Sequence, residues 1–199
     1  MIVDVQYDFC EGGSLGVTGS PLIFPVINQL KKNDFFSHVI CTKDWHPPGH
    51  VSFASTHGKE PFTAIELPTG KQELWPDHCL QGTHGAELSK DLELDGKEVI
   101  IHKGFDKNRD SYSGFFEGEK GVELREKLKE LQVLEVFVCG LAFDYCVGST
   151  ALDAHKFGFK TCIIRDGTKS VAKDSEVAMH KRLADNKITI VTAAEVLAQ

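Results

Sequence analysis

No stretch of this 199-residue chain approaches the ~18–20 consecutive apolar residues of a membrane-spanning helix. The opening segment from Met1 to Phe9 is too acidic and too short for a secretory signal. Positive charge is scarce: 22 Lys and Arg stand against 29 Asp and Glu, for a net charge of −7. That balance lacks the basic field that nucleic acids and anionic membrane surfaces select, so neither is expected as a partner. Internal repeats, low-complexity tracts and charge blocks are also missing, so residues 1–199 read as a single domain. None of the six cysteines (10, 41, 79, 139, 146 and 162) forms a C-x-x-C pair, and Cys41, Cys139 and Cys162 lie in apolar runs. The pattern reads as reduced thiols of a cytoplasmic protein, not as a disulfide framework, and it leaves a thiol free to act as a nucleophile.

What is present is an ordinary globular composition, 41% hydrophobic and 26% charged, enough to bury a full core. Short β-branched runs recur at Ile2–Val5, Val39–Cys41, Val99–Ile101, Val136–Cys139, Thr161–Ile164 and Ile188–Val191. Most are apolar at consecutive positions, as in parallel strands covered on both faces. Helical patterns alternate with them. Leu124, Leu128 and Leu131 share one face, as do Val147, Ala151, Ala154 and Phe157 ahead of the stop Gly158. Asp174 is placed to cap a helix to Ala184, and Thr192 with Glu195 forms a capping box. Ser20–Lys32 also reads as helical, with a start moved inward by Pro25. The alternation predicts an α/β fold of three layers, a mostly parallel sheet with helices on both faces. Thr42–Lys97 breaks the rhythm as a long loop rich in Gly, Pro and His.

In such sheets sites gather beyond the carboxyl ends of the strands. Four reactive residue types stand there. Cys146 follows the fourth run and opens the next helix, where a helix dipole would lower a thiol pKa; a plain buried cysteine is the alternative. Asp4 sits inside an apolar strand, where a carboxylate is costly unless paired, and could serve as a proton acceptor or as a structural ion-pair partner. Lys103 follows the third run, either to steady a thiolate or as a solvated surface cation. Asp44 and His46, two apart in an extended segment, point the same way and can share an ion with a third histidine of the same loop. Phe9, Phe53, Trp75 and Tyr112 flank these groups in sequence; aromatics there can sandwich a flat ring or simply pack the core.

Taken in order, seven segments resemble one family. They are Val3 to Leu15, Thr42 to Pro47, Ser52 to Ser55, Leu74 to Cys79, His102 to Gly104, Asp110 to Phe115, and Gly140 to Val147. Together they resemble the nicotinamidases of the isochorismatase-like cysteine hydrolase family. The resemblance implies a six-stranded parallel sheet and a catalytic triad of Cys146, Asp4 and Lys103. It implies metal ligands at Asp44, His46 and His78, with His50 near a position that is a fourth ligand in some relatives. It also implies a cis peptide at Leu141–Ala142, an oxyanion hole from the backbone N–H groups of Ala142 and Cys146, and ring contacts from Phe9 and Trp75. The implied reaction is hydrolysis of nicotinamide to nicotinate and ammonia through a cysteine thioester, within NAD salvage. One divalent ion, zinc ahead of iron or manganese, would hold the pyridine ring. The implied partner is the small-molecule substrate, and a homo-oligomer is compatible with the pattern.

Two features depart from the family. Only three residues precede Asp4, which predicts a short first strand, and Tyr7 stands where relatives often carry Asn. Amidases acting on carbamoyl or ureido groups are the alternative within the class, and a non-catalytic metal-binding protein the alternative outside it. The Asp44, His46 and His78 set speaks against the first. The joint presence of Cys146, Asp4 and Lys103 speaks against the second.

Overall fold

A computed structural model describes residues 1–115 and 123–198. In chain order the elements are β1 (Ile2–Val3), α1 (Ile23–Lys31), β2 (Ile40–Asp44), α2 (Ala54–His57), β3 (Ala64–Leu67), β4 (Gly70–Glu73), β5 (Val99–Lys103), α3 (Glu123–Glu130), β6 (Glu135–Leu141), α4 (Gly148–Lys156), β7 (Lys160–Lys169), α5 (Lys173–Asp185), β8 (Thr189–Val191) and α6 (Ala193–Leu197). Six strands form one sheet in the order β5-β2-β1-β6-β7-β8, every pairing parallel. β3 and β4 pair separately as an antiparallel hairpin.

Side-chain alternation along the strands divides the core into two layers. On one face Ile2, Cys41, Phe137, Cys139, Leu141, Cys162 and Ile164 pack with α1 and α6 residues such as Ile27 and Val196. On the other, Val3, Ile40, Val136, Val138 and Ile163 pack with Leu124, Leu128, Ala151, Ala154 and Leu183 of α3, α4 and α5. The three layers predicted from the runs are therefore present. All six cysteines are free, and among the described residues no helix is long and apolar enough to cross a membrane.

Several local expectations are corrected. The first strand is short, as the three residues before Asp4 predicted, because Asp4 itself turns out of the ladder with φ +49°. α5 begins at Lys173 with Ala172 in the cap position, so Asp174 lies in the first turn and is not the cap. The capping role is taken from a distance: Asp144 accepts hydrogen bonds from Val171 N, Ala172 N and Ser175 Oγ. Pro25 falls in the first turn of α1, where the missing N–H has no helical partner to lose. The long loop between Thr42 and Lys97 carries the β3–β4 hairpin, whose polar, half-exposed residues gave no strand pattern. The capping box of Thr192 and Glu195 is present as predicted.

The strand order explains where a site can form. From β1 the chain moves to β2 and then β5 on one side, and later returns to place β6 on the other side of β1. The crevice between β1 and β6, at their carboxyl ends, is the switch point of the sheet.

Candidate active site

Across that carboxyl edge, Lys103, Asp44, Asp4 and Cys146 follow one another in the order of β5, β2, β1 and the turn after β6. All four are buried. Lys103 Nζ lies 2.9 Å from Asp4 Oδ2 and 2.5 Å from Asp44 Oδ1. Its three N–H groups point to Asp44 Oδ1, to the Ser111 carbonyl at 3.2 Å and to Cys146 Sγ at 3.4 Å. Asp4 Oδ2 is thus ion-paired with the ammonium. The other oxygen, Oδ1, accepts a 2.6 Å bond from Thr42 Oγ1.

Electrostatics follows from burial and these contacts. Burial pushes the Asp4 pKa up and outweighs the pull of Lys103. Asp44 is held well below the usual carboxylate range, because Lys103 and His46 together overcome the burial that raises it. Burial disfavours a charged lysine, yet Asp4 and Asp44 hold the Lys103 ammonium well above its ordinary value. Cys146 departs from the helix-dipole expectation. It lies in a single π turn, Phe143–Val147, ahead of α4, and burial with the charges of Asp4 and Asp44 pushes its thiol well up, against Lys103. The resting group is a thiol beside a carboxylate that binds protons more readily than usual. The Leu141–Ala142 peptide is cis.

Asp44 also faces the second cluster. Its Oδ2 is 3.5 Å from His46 Nε2, and donor atoms of Asp44, His46 and His78 lie within 4.8 Å of one another. His46 Nδ1 is 2.7 Å from the Gly104 carbonyl and His78 Nδ1 is 2.7 Å from the Pro76 carbonyl. A carbonyl only accepts, so each Nδ1 carries the proton and each Nε2 presents a lone pair to the cluster. Burial lowers the His46 pKa, but Asp44 and the Gly104 carbonyl raise it above its ordinary value; His78 is pushed down to about 4 by burial and by His46. Two imidazole nitrogens and a carboxylate, buried and converging, are a donor set suited to a divalent ion. His50 stacks on His46 with centroids 4.1 Å apart, but its ring nitrogens meet Ser52 Oγ at 2.7 Å and the Arg109 carbonyl at 3.2 Å.

Between the two clusters opens a cleft lined by Phe9, Trp75, Ala142, Cys146, Asp44 and His78. Tyr112 and Tyr145 extend its aromatic wall: Trp75 Nε1 donates to Tyr112 OH at 3.2 Å, and Tyr145 meets Trp75 edge-on at 4.9 Å. Phe53 is fully buried against His46 and His78, outside the cleft lining.

Several residues that shape the site had no sequence signal of their own. Gln6 clamps the end of β2, its Nε2 donating to the Asp44 carbonyl and its Oε1 accepting from Asp44 N, both at 2.8 Å. Thr42 holds Asp4. Asp110 lines the cleft and accepts from Ser111 N, whose carbonyl in turn receives Lys103. Buried polar side chains in apolar strands were the one available hint for Gln6 and Thr42. Asp8 accepts a 2.7 Å bond from Cys79 N, and Tyr7 stacks on His84.

A family model described as the isochorismatase domain matches residues 1–195. A curated nicotinamidase of Acinetobacter baylyi is 47% identical over 174 residues, covering 86% of this chain and 80% of that protein. Among solved structures, a nicotinamidase/pyrazinamidase from Acinetobacter baumanii superposes with a TM-score of 0.92 at 42% identity, covering 98% and 95% of the two chains. A Pyrococcus horikoshii pyrazinamidase in complex with zinc gives 0.80 at 35% identity, with 96% of each chain covered. The yeast nicotinamidase bound to the inhibitor nicotinaldehyde gives 0.86 at 31% identity, covering 96% and 97%.

Proposed function

The chain belongs to the isochorismatase family, and from that membership and the geometry of its site we propose that it is a nicotinamidase whose nucleophile is Cys146. It hydrolyses nicotinamide to nicotinate and ammonia, a step of NAD salvage. The observation that carries this reading is the meeting of Cys146 Sγ, Asp4 and Lys103 at the floor of an aromatic cleft, beside three buried ion-binding donors.

Phe9 and Trp75 flank the pyridine ring. Asp44, His46 and His78 would hold one divalent ion, which we assign as zinc. When bound, the ion would supply a Lewis-acid site for the ring nitrogen. The chain's own residues carry the reaction. Asp4 accepts the proton of the Cys146 thiol, and the thiolate adds to the carboxamide carbon. The resulting oxyanion is received by the backbone N–H groups of Ala142 and Cys146; losing one such donor typically costs ~3–4 kcal/mol of barrier. Asp4 then passes its proton to the amide nitrogen, the C–N bond breaks, and ammonia leaves a Cys146 thioester. Asp4 next takes a proton from water, whose oxygen attacks the thioester, and the acid is released as Asp4 reprotonates the sulfur. Lys103 supports the carboxylate form of Asp4 and the thiolate in turn. The six unpaired thiols support a reducing, cytoplasmic setting.

The test is Cys146→Ala assayed for ammonia release from nicotinamide. Activity falls by at least ~10⁴-fold if the thiol is the nucleophile. Turnover within tenfold of the unsubstituted protein removes the assignment.

A further inference from the structure

We infer that Cys146, Asp4 and Asp44 form a second cation site, filled in the resting protein by the tethered ammonium of Lys103, and that this ammonium keeps thiophilic divalent ions off the nucleophile. Cys146 Sγ and one carboxylate oxygen from each aspartate lie within 4.8 Å of one another, all buried. A thiolate with two carboxylates is a donor set for zinc or cadmium. Asp4 is fully buried. The positive charge that meets all three donors is the Lys103 ammonium, with Nζ 2.9 Å from Asp4 Oδ2, 2.5 Å from Asp44 Oδ1 and 3.4 Å from Sγ.

The arrangement answers a problem set by the neighbouring donors. Asp44 belongs to both clusters, Oδ1 turned to Lys103 and Oδ2 to His46. A carboxylate placed in this way can bridge two ions, so a protein that gathers a divalent ion at His46 and His78 holds a thiol one carboxylate away from it. A fixed positive charge, 1% exposed and tethered to β5, opposes entry of a second ion there and cannot diffuse out. Ion binding at Sγ would release the thiol proton to solvent and leave no free nucleophile. The consequence for catalysis rests on the proposed reaction, but the occupancy of the site does not.

The experiment compares the full chain with Lys103→Ala, each stripped of ions and titrated with Cd²⁺ by equilibrium dialysis and ultraviolet absorption. Lys103→Ala is expected to hold one more Cd²⁺ per chain than the unsubstituted protein and to show the thiolate-to-cadmium charge-transfer band. Adding Cys146→Ser to that variant removes the band. Equal stoichiometry and no band in folded Lys103→Ala overturn the inference. If Lys103→Ala does not fold, the unsubstituted protein decides: after the first equivalent of Cd²⁺, a tenfold excess leaves the rate of Cys146 alkylation by iodoacetamide unchanged. Protection from alkylation together with the charge-transfer band shows that the ammonium does not exclude the ion, and overturns it. A chain that never released ammonia would still give these readouts, so failure of the proposed reaction is seen separately.

Discussion

Replacing Thr42 by Val removes one hydroxyl and almost no volume, and that hydroxyl donates the 2.6 Å bond to Asp4 Oδ1. The second oxygen of Asp4 faces Lys103 Nζ at 2.9 Å, so the Thr42 hydroxyl is what holds Oδ1. Hydrogen bonds to charged groups contribute ~1.5–3 kcal/mol. At ~1.4 kcal/mol per unit, losing this one raises the Asp4 pKa by about one to two units beyond the elevation burial already causes. The sign for catalysis follows. Asp4 must be ionised to take the thiol proton, so activity falls as pH drops through its pKa. The acid limb of the kcat/KM profile is therefore expected to move toward higher pH by about one to two units in Thr42→Val. Above the shifted limb kcat/KM returns to within about threefold of the parent. Measurement is a pH–rate profile on nicotinamide for both proteins. A general loss of fit would lower the rate at every pH without moving the limb. An acid limb that stays within ~0.3 units of the parent refutes the claim that Thr42 sustains the charge of the base.

Gly104→Ala acts on the ion-binding cluster: with φ at +66°, its Cβ would stand 2.4 Å from His46 Cε1, so His46 must turn. Loss of such a supporting contact weakens metal affinity ~10–100-fold; competition with a chromophoric chelator measures it, and unchanged affinity contradicts the assigned role of His46. His50 governs part of the acid response. Burial, then the charge of His46, lowers its pKa from 6.5 to about 4. The unfolded chain therefore binds its proton first as pH falls, and stability present above pH 6.5 is lost toward pH 4, by at most ~3 kcal/mol. In urea unfolding with a chelator throughout, His50→Asn should show a flatter loss over that window, and parallel slopes for the two proteins would exclude His50 as a contributor.

The layers of the fold were legible because buried parallel strands advertise themselves as β-branched runs, and the helical stripes of Leu124 and Leu128 or of Ala151 and Ala154 match the faces that are buried. Strand ends were not. β2 and β5 run on to Asp44 and Lys103, two charged residues that pattern reasoning assigns to loops. They continue the ladder because each neutralises the other across it, a pairing between residues 59 apart that no local window contains. The same limit hid Asp144, which secures the start of α5 from 27 residues away, and the orientation of Thr42. For Cys146 the local sequence pointed to a lowered thiol pKa. The opposite direction comes first from burial, to which Asp4 and Asp44, brought to it by the sheet, add their charges.

The central strand is two residues long and comes from the very beginning of the described chain, while its second neighbour, β6, begins at Glu135. A polypeptide synthesised only as far as β5 already contains Asp4, Asp44 and Lys103 but not yet Cys146. Assembly is thus ordered by synthesis: the proton acceptor and its guarding ammonium exist before the reactive atom arrives between them. A nascent chain never carries Cys146 without the three companions that govern it.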